Sequence, residues 1–76
     1  MPRLRPIHHK QFQKFLKYIG CTYSRQKGDH VVYRRSDLKR PIVFPAVGSI
    51  PVFIILNNLR ILGISRDDYL DIIERI

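Results

Sequence analysis

Two short runs of strand-forming residues, 21–25 and 30–35, are separated by Gln26-Lys27-Gly28-Asp29, and this spacing decides what the chain can become. Gly28 supplies the positive φ that tight hairpin turns require at a central position, so the two runs are expected to pair antiparallel. Period-two alternation in the second run places His30, Val32 and Arg34 on one face, with Val31, Tyr33 and Arg35 on the other. In the first run the same alternation groups Tyr23 with Arg25, opposite Thr22 and Ser24. A third run, Ile42-Val43-Phe44, follows the polar connection 36–41 and is closed by Pro45, which cannot donate to a ladder. The expected sheet has three antiparallel strands in meander order.

Helical spacing frames this sheet. Phe12, Phe15, Leu16 and Ile19 recur at i, i+3, i+4 and i+7, which predicts an amphipathic helix over 7–19, entered after Pro6 and stopped at Gly20. Lys10, Lys14 and Lys17 fall largely off that stripe and give the helix a cationic outer face. Residues 50–56 are almost continuously apolar and fit either a buried strand or a helix. Helix is preferred, because the pattern continues at Leu59 and Leu62, Ser49 and Pro51 resemble helix-start residues, and Gly63 resembles a stop. A helix apolar on most of its circumference needs cover on two sides, one from the sheet and one from a final helix or a partner. Ser65 with Asp68 resembles a capping box, and Tyr69, Ile72, Ile73 and Ile76 form a last apolar stripe. The order α-β-β-β-α-α describes an α+β fold with helices on one face of a three-stranded antiparallel sheet.

The 76 residues suit a single domain, 1–76, with a modest core. One cysteine, Cys21, excludes an intrachain disulfide and fits a reducing cytoplasm; next to the helix stop it reads as a small packed hydrophobe. Residues 42–56 are too short and too broken by proline and glycine to span a membrane, and no apolar segment of secretory type follows the basic N-terminus. Of the net charge of +8, the whole surplus lies in residues 1–40, which hold eleven lysines and arginines against two aspartates. Residues 41–76 hold three arginines against four acidic residues. A basic field of this kind attracts polyanions, RNA or DNA first.

Few residues offer chemistry. No Ser-His-Asp logic or Gly-rich phosphate loop is present, and His8, His9, His30 and Cys21 lack any metal-ligand spacing, so neither metal nor cofactor is expected. His30 stands apart because it opens a strand beside the turn, with Arg25, Lys27 and Arg34 around it. An imidazole exchanges protons near neutral pH, and RNA carries its own nucleophile, the 2′-OH, next to each phosphate. A metal-free nuclease needs a base for that hydroxyl, cations for the phosphorane charge and an acid for the leaving 5′-oxygen. His30 can be the base; Tyr23, Tyr33 or a lysine can be the acid.

Taken in order, the chain resembles the HicA toxin family, small mRNA-cleaving toxins with a double-stranded-RNA-binding-like fold that are neutralised by HicB antitoxins. The resemblance covers nearly the whole chain: the first helix ending at Gly20, the run Gly28-Asp29-His30-Val31-Val32-Tyr33, the strand ending Val43-Phe44-Pro45, Ile50-Pro51 opening a helix that ends Leu62-Gly63-Ile64-Ser65, and an acidic helix after it. It implies that His30 is catalytic, that Gly28 is the turn glycine and that a HicB-like antitoxin is the protein partner. Asp29 stands where serine is commoner, and Ala46-Val47 where many members carry a second histidine. The substrate-binding set expected around His30 is Arg25, Lys27, Gly28 and Arg34, with Lys10 and Lys14 from the first helix. The competing expectation is a basic RNA-binding module without catalysis.

Overall fold

The computed structural model describes residues 3–76; Met1 and Pro2, part of the basic N-terminus read above, lie outside it. The elements are β1 (Ile7–His8), α1 (His9–Tyr18), β2 (Thr22–Lys27), β3 (His30–Arg34), β4 (Ile42–Pro45), β5 (Ser49–Ile50), α2 (Val52–Leu62) and α3 (Arg66–Arg75). β2, β3 and β4 form the expected antiparallel meander, with β3 in the centre. The fold is α+β, in an arrangement consistent with a double-stranded-RNA-binding-like domain.

Every apolar stripe of the sequence meets one core. Phe12, Phe15 and Leu16 of α1 cluster with Val31 and Tyr33 of β3, Ile42 and Phe44 of β4, Ile55, Leu59 and Leu62 of α2, and Tyr69 of α3. Phe12 meets the Phe44 ring edge-on at 5.1 Å, and Phe15 meets Tyr69 edge-on at 4.9 Å. Such aromatic pairs add about 0.5–1.5 kcal/mol each beyond the area they bury. Cys21 is buried against this core, and burial pushes its thiol up, away from a reactive thiolate. Among the described residues, no helix is long and apolar enough to cross a membrane.

The ends of the helices follow their local chemistry. Gly20, at φ +91°, closes α1 in a Schellman pattern: Cys21 N–H bonds the Leu16 carbonyl at 2.9 Å and Gly20 N–H bonds that of Lys17 at 3.1 Å. The Ser65 hydroxyl accepts from Asp68 N–H at 3.1 Å, starting α3 as the capping signal predicts. Packing of α2 against both β4 and α3 supplies the two-sided cover its composition requires.

Three features depart from the sequence reading. Ser49 is not a helix-start residue: Ser49 and Ile50 pair with His8 and Ile7 as a second, two-stranded sheet, and α2 starts after Pro51. That pairing also trims the first helix to His9–Tyr18. β2 runs on to Lys27, leaving Gly28-Asp29 as a two-residue hairpin loop. Gly28 has φ +59° while Asp29 stays at negative φ, the pattern of a II′ turn. Finally, β2 and β3 shift register between Tyr23 and Arg25, so that Ser24 is a bulge.

Candidate functional site

The bulge at Ser24 determines which side chains share a face. Direct cross-strand partners point the same way, so Tyr23, opposite Tyr33, lies on the helix-covered face. Arg25, opposite Val32, and Lys27, opposite His30, lie on the open face. Uninterrupted alternation would have grouped Arg25 with Tyr23; the extra residue reverses everything after it.

The open face is built in cross-strand rows. One row is Lys27–His30–Pro45, the next Arg25–Val32–Val43, and Thr22–Arg34 comes beyond on β2 and β3. His30 is exposed yet set in the central strand, and Val32 beside it is 7 % exposed, so an apolar floor separates exposed cations. The turn is fixed from two sides: Ala46 N–H donates to the Asp29 carbonyl at 2.7 Å, and the Gln26 side-chain amide donates to that of Gly28 at 3.1 Å. His30, Lys27, Arg25 and Arg34 are thus brought onto one face, with Gly28 at its tip.

Lys10 and Lys14 are not brought there. Both belong to α1, in the layer behind the sheet, and Lys14 Nζ donates to the Ile76 carbonyl at 2.7 Å beyond the end of α3. The two tyrosines also fall away from His30. Tyr33 is 1 % exposed, its hydroxyl donates to Gln13 Oε1 at 2.9 Å, and burial pushes its pKa up. Tyr23 packs edge-on against it at 5.9 Å. The Gln13 amide continues the chain to His9 Nδ1 at 3.1 Å. His8 and His9 stack at 4.6 Å, because His8 is the extended cap of α1 and its Nδ1 accepts from Lys10 N–H. Partial desolvation, then the neighbouring His8 and Lys10, hold the His9 imidazole below its ordinary range.

Adjacent arginines divide their work. Arg34 stays on the open face, whereas Arg35 donates to both Asp37 carboxylate oxygens, at 2.6 and 3.0 Å, and to the Ile19 carbonyl at 2.8 Å. That pairing holds the Asp37 carboxyl below its usual range and ties the loop after β3 to the end of α1. One contact had no signal in the sequence reading: Asn58, 3 % exposed, donates to the Val43 carbonyl at 3.3 Å. α2 thereby satisfies a backbone group of edge strand β4 and covers that edge.

An α+β fold whose helices leave one cationic sheet face open defines a small basic protein of the double-stranded-RNA-binding-like class. The family comparison matches residues 9–64, which include the hairpin, β4 and α2, to the HicA toxin of bacterial toxin–antitoxin systems. The chain belongs to the HicA toxin family. Membership supports a toxin role and implies pairing with an antitoxin. No curated protein and no solved structure matches the chain.

Proposed function

We propose that the chain is an endoribonuclease of the mRNA-cleaving kind, with His30 as its acid/base residue and the open sheet face as its RNA surface. The observation that carries this reading is the Lys27–His30 pair: an exposed imidazole held in the central strand, directly across from an ammonium. The chemistry is a transesterification. His30 takes the proton from the 2′-OH, the oxygen attacks phosphorus, and the 5′-oxygen leaves with a proton, giving a 2′,3′-cyclic phosphate and a 5′-hydroxyl. With Tyr23 and Tyr33 turned to the helix face, Lys27 is the candidate from the earlier set that faces the reacting phosphate. Its ammonium can stabilise the phosphorane charge and supply the leaving-group proton, and Arg25 and Arg34 hold flanking phosphates.

The control is a defined single-stranded RNA carrying a single 2′-deoxy nucleotide at the scissile position. Cleavage there should stop while cleavage elsewhere continues, and the unmodified RNA should yield cyclic-phosphate ends. Continued cutting at the deoxy position would rule out the 2′-OH mechanism. The alternative, a basic module that binds RNA without cutting it, is favoured by one observation: His30 is the only histidine in the three open-face rows. Salt-sensitive binding with intact RNA after hours of incubation is the result that reading predicts. A HicB-like antitoxin that covers the open face would block RNA and neutralise its charge together.

A further inference from the structure

The cationic surface does not stop at the sheet. At the Arg34 end of the open face, Thr22, Arg34, Arg35, Ser36, Leu38, Arg40 and Pro41 line a depression of about 270 Å³. Its far wall, Leu38 and Arg40, is also a wall of a larger open depression of about 720 Å³, completed by Asp37, Lys39, Asn57, Arg60 and Ile61. The two adjoin across Leu38 and Arg40 and together form a groove divided by those side chains, running from the sheet face around the 36–41 connection to Asn57, Arg60 and Ile61 of α2. Its charge is uncompensated. Among the described residues the ion pairs are Arg35–Asp37 and Arg75–Asp71, so the one carboxylate in the groove is already neutralised, and Lys39, Arg40 and Arg60 have no acidic partner.

We infer that this groove is a second RNA-binding segment, which takes the phosphate backbone of the same single strand that lies over His30, on the side of Arg34. The inference rests on the ribonuclease reading above and extends it to Lys39, Arg40 and Arg60, none of which belongs to the face around His30. Continuity favours RNA. His30 and Arg34 are four residues apart on β3, about 13 Å at strand rise. A backbone that crosses the face along β3 leaves it at Arg34, where the groove begins. Leu38 and Ile61 give the groove an apolar wall on which a base can lie, while the three cations meet phosphates.

The test uses the full chain and two uncleavable 2′-O-methyl RNAs, a 20-mer and a 4-mer, with binding followed by fluorescence anisotropy from 50 to 200 mM KCl. The triple variant Lys39→Ala/Arg40→Ala/Arg60→Ala changes exposed side chains only, and its melting curve checks the fold. For the 20-mer, losing three phosphate contacts should lower the salt slope by about 2, so that the wild-type advantage shrinks about twentyfold across that salt range. Binding of the 4-mer, which the sheet face alone can hold, should not change. A variant that binds the 20-mer with wild-type affinity and slope overturns the inference. Such a variant that at the same time no longer co-purifies with its cognate antitoxin assigns the groove to the protein partner instead. Wild-type protein that binds neither RNA overturns the inference together with the ribonuclease reading, whereas loss confined to the variant's 20-mer binding supports the inference and leaves the ribonuclease reading to the 2′-deoxy cleavage test.

Discussion

Arg25 stands directly across from Val32, one row from the Lys27–His30 pair, and it does so because Ser24 bulges out of β2. The bulge converts a strand whose uninterrupted alternation would point Arg25 at the helices into one that joins both its later cations to the histidine face. Deleting Ser24 should leave the pairs Tyr23–Tyr33, Arg25–Val32 and Lys27–His30 in place as a regular ladder. The deletion variant is expected to fold and to keep RNA affinity, whereas Arg25→Glu should weaken RNA binding without lowering the melting temperature. Anisotropy and circular dichroism on the two variants separate these outcomes.

Gly28 sets the approach of Lys27 to His30. A Cβ at this position meets no atom within 4 Å, so Gly28→Ala meets no steric clash, only the conformational cost of an L-residue at positive φ in a II′ turn, about 1–3 kcal/mol. Urea denaturation should show a loss of that size.

Much of this arrangement can be read from the sequence, and the part that cannot has a common cause. The stripes Phe12/Phe15/Leu16 and Tyr69/Ile72/Ile73, the turn at Gly28 and the cap at Ser65 are local signals, and each lies where its spacing puts it. The β1–β5 pair joins residues over forty positions apart, and two-residue strands carry no periodicity to read. The Ser24 bulge breaks alternation without any marker residue. Asn58 and Arg35 look like surface residues in one dimension; only the fold shows that one satisfies β4 and the other ties Asp37 to the end of α1.

Asn58→Ala therefore removes the partner of the part-buried Val43 carbonyl and leaves a gap between α2 and β4. The expected loss is about 0.5–1.5 kcal/mol. Hydrogen exchange should show faster opening of β4 than of β2.

The neighbouring arginines give a sharper contrast. Arg35→Ala abandons the Ile19 carbonyl and the Asp37 pair and should cost about 1–2 kcal/mol, limited by the exposure of Asp37. Arg34→Ala should leave stability unchanged and weaken RNA binding. Thermal melts paired with anisotropy would reverse the account if Arg34→Ala destabilised and Arg35→Ala did not.

Alkaline pH provides a test of the core. Burial pushes the Tyr69 hydroxyl up to about 12, above the value near 10 of an unfolded tyrosine. The stability this represents is complete below pH 10 and is lost as pH rises through 12, a swing of about 2–3 kcal/mol. Tyr69→Phe should unfold at higher pH than the wild type, as followed by circular dichroism.

Proton transfer by His30, as proposed, is tested most directly by removing its imidazole. Purified wild-type protein and His30→Ala, matched in melting temperature, should be compared on one end-labelled single-stranded RNA at neutral pH. Loss of cleavage by about a hundredfold or more, with RNA affinity retained, is the predicted result. Cleavage by His30→Ala at the wild-type rate contradicts it.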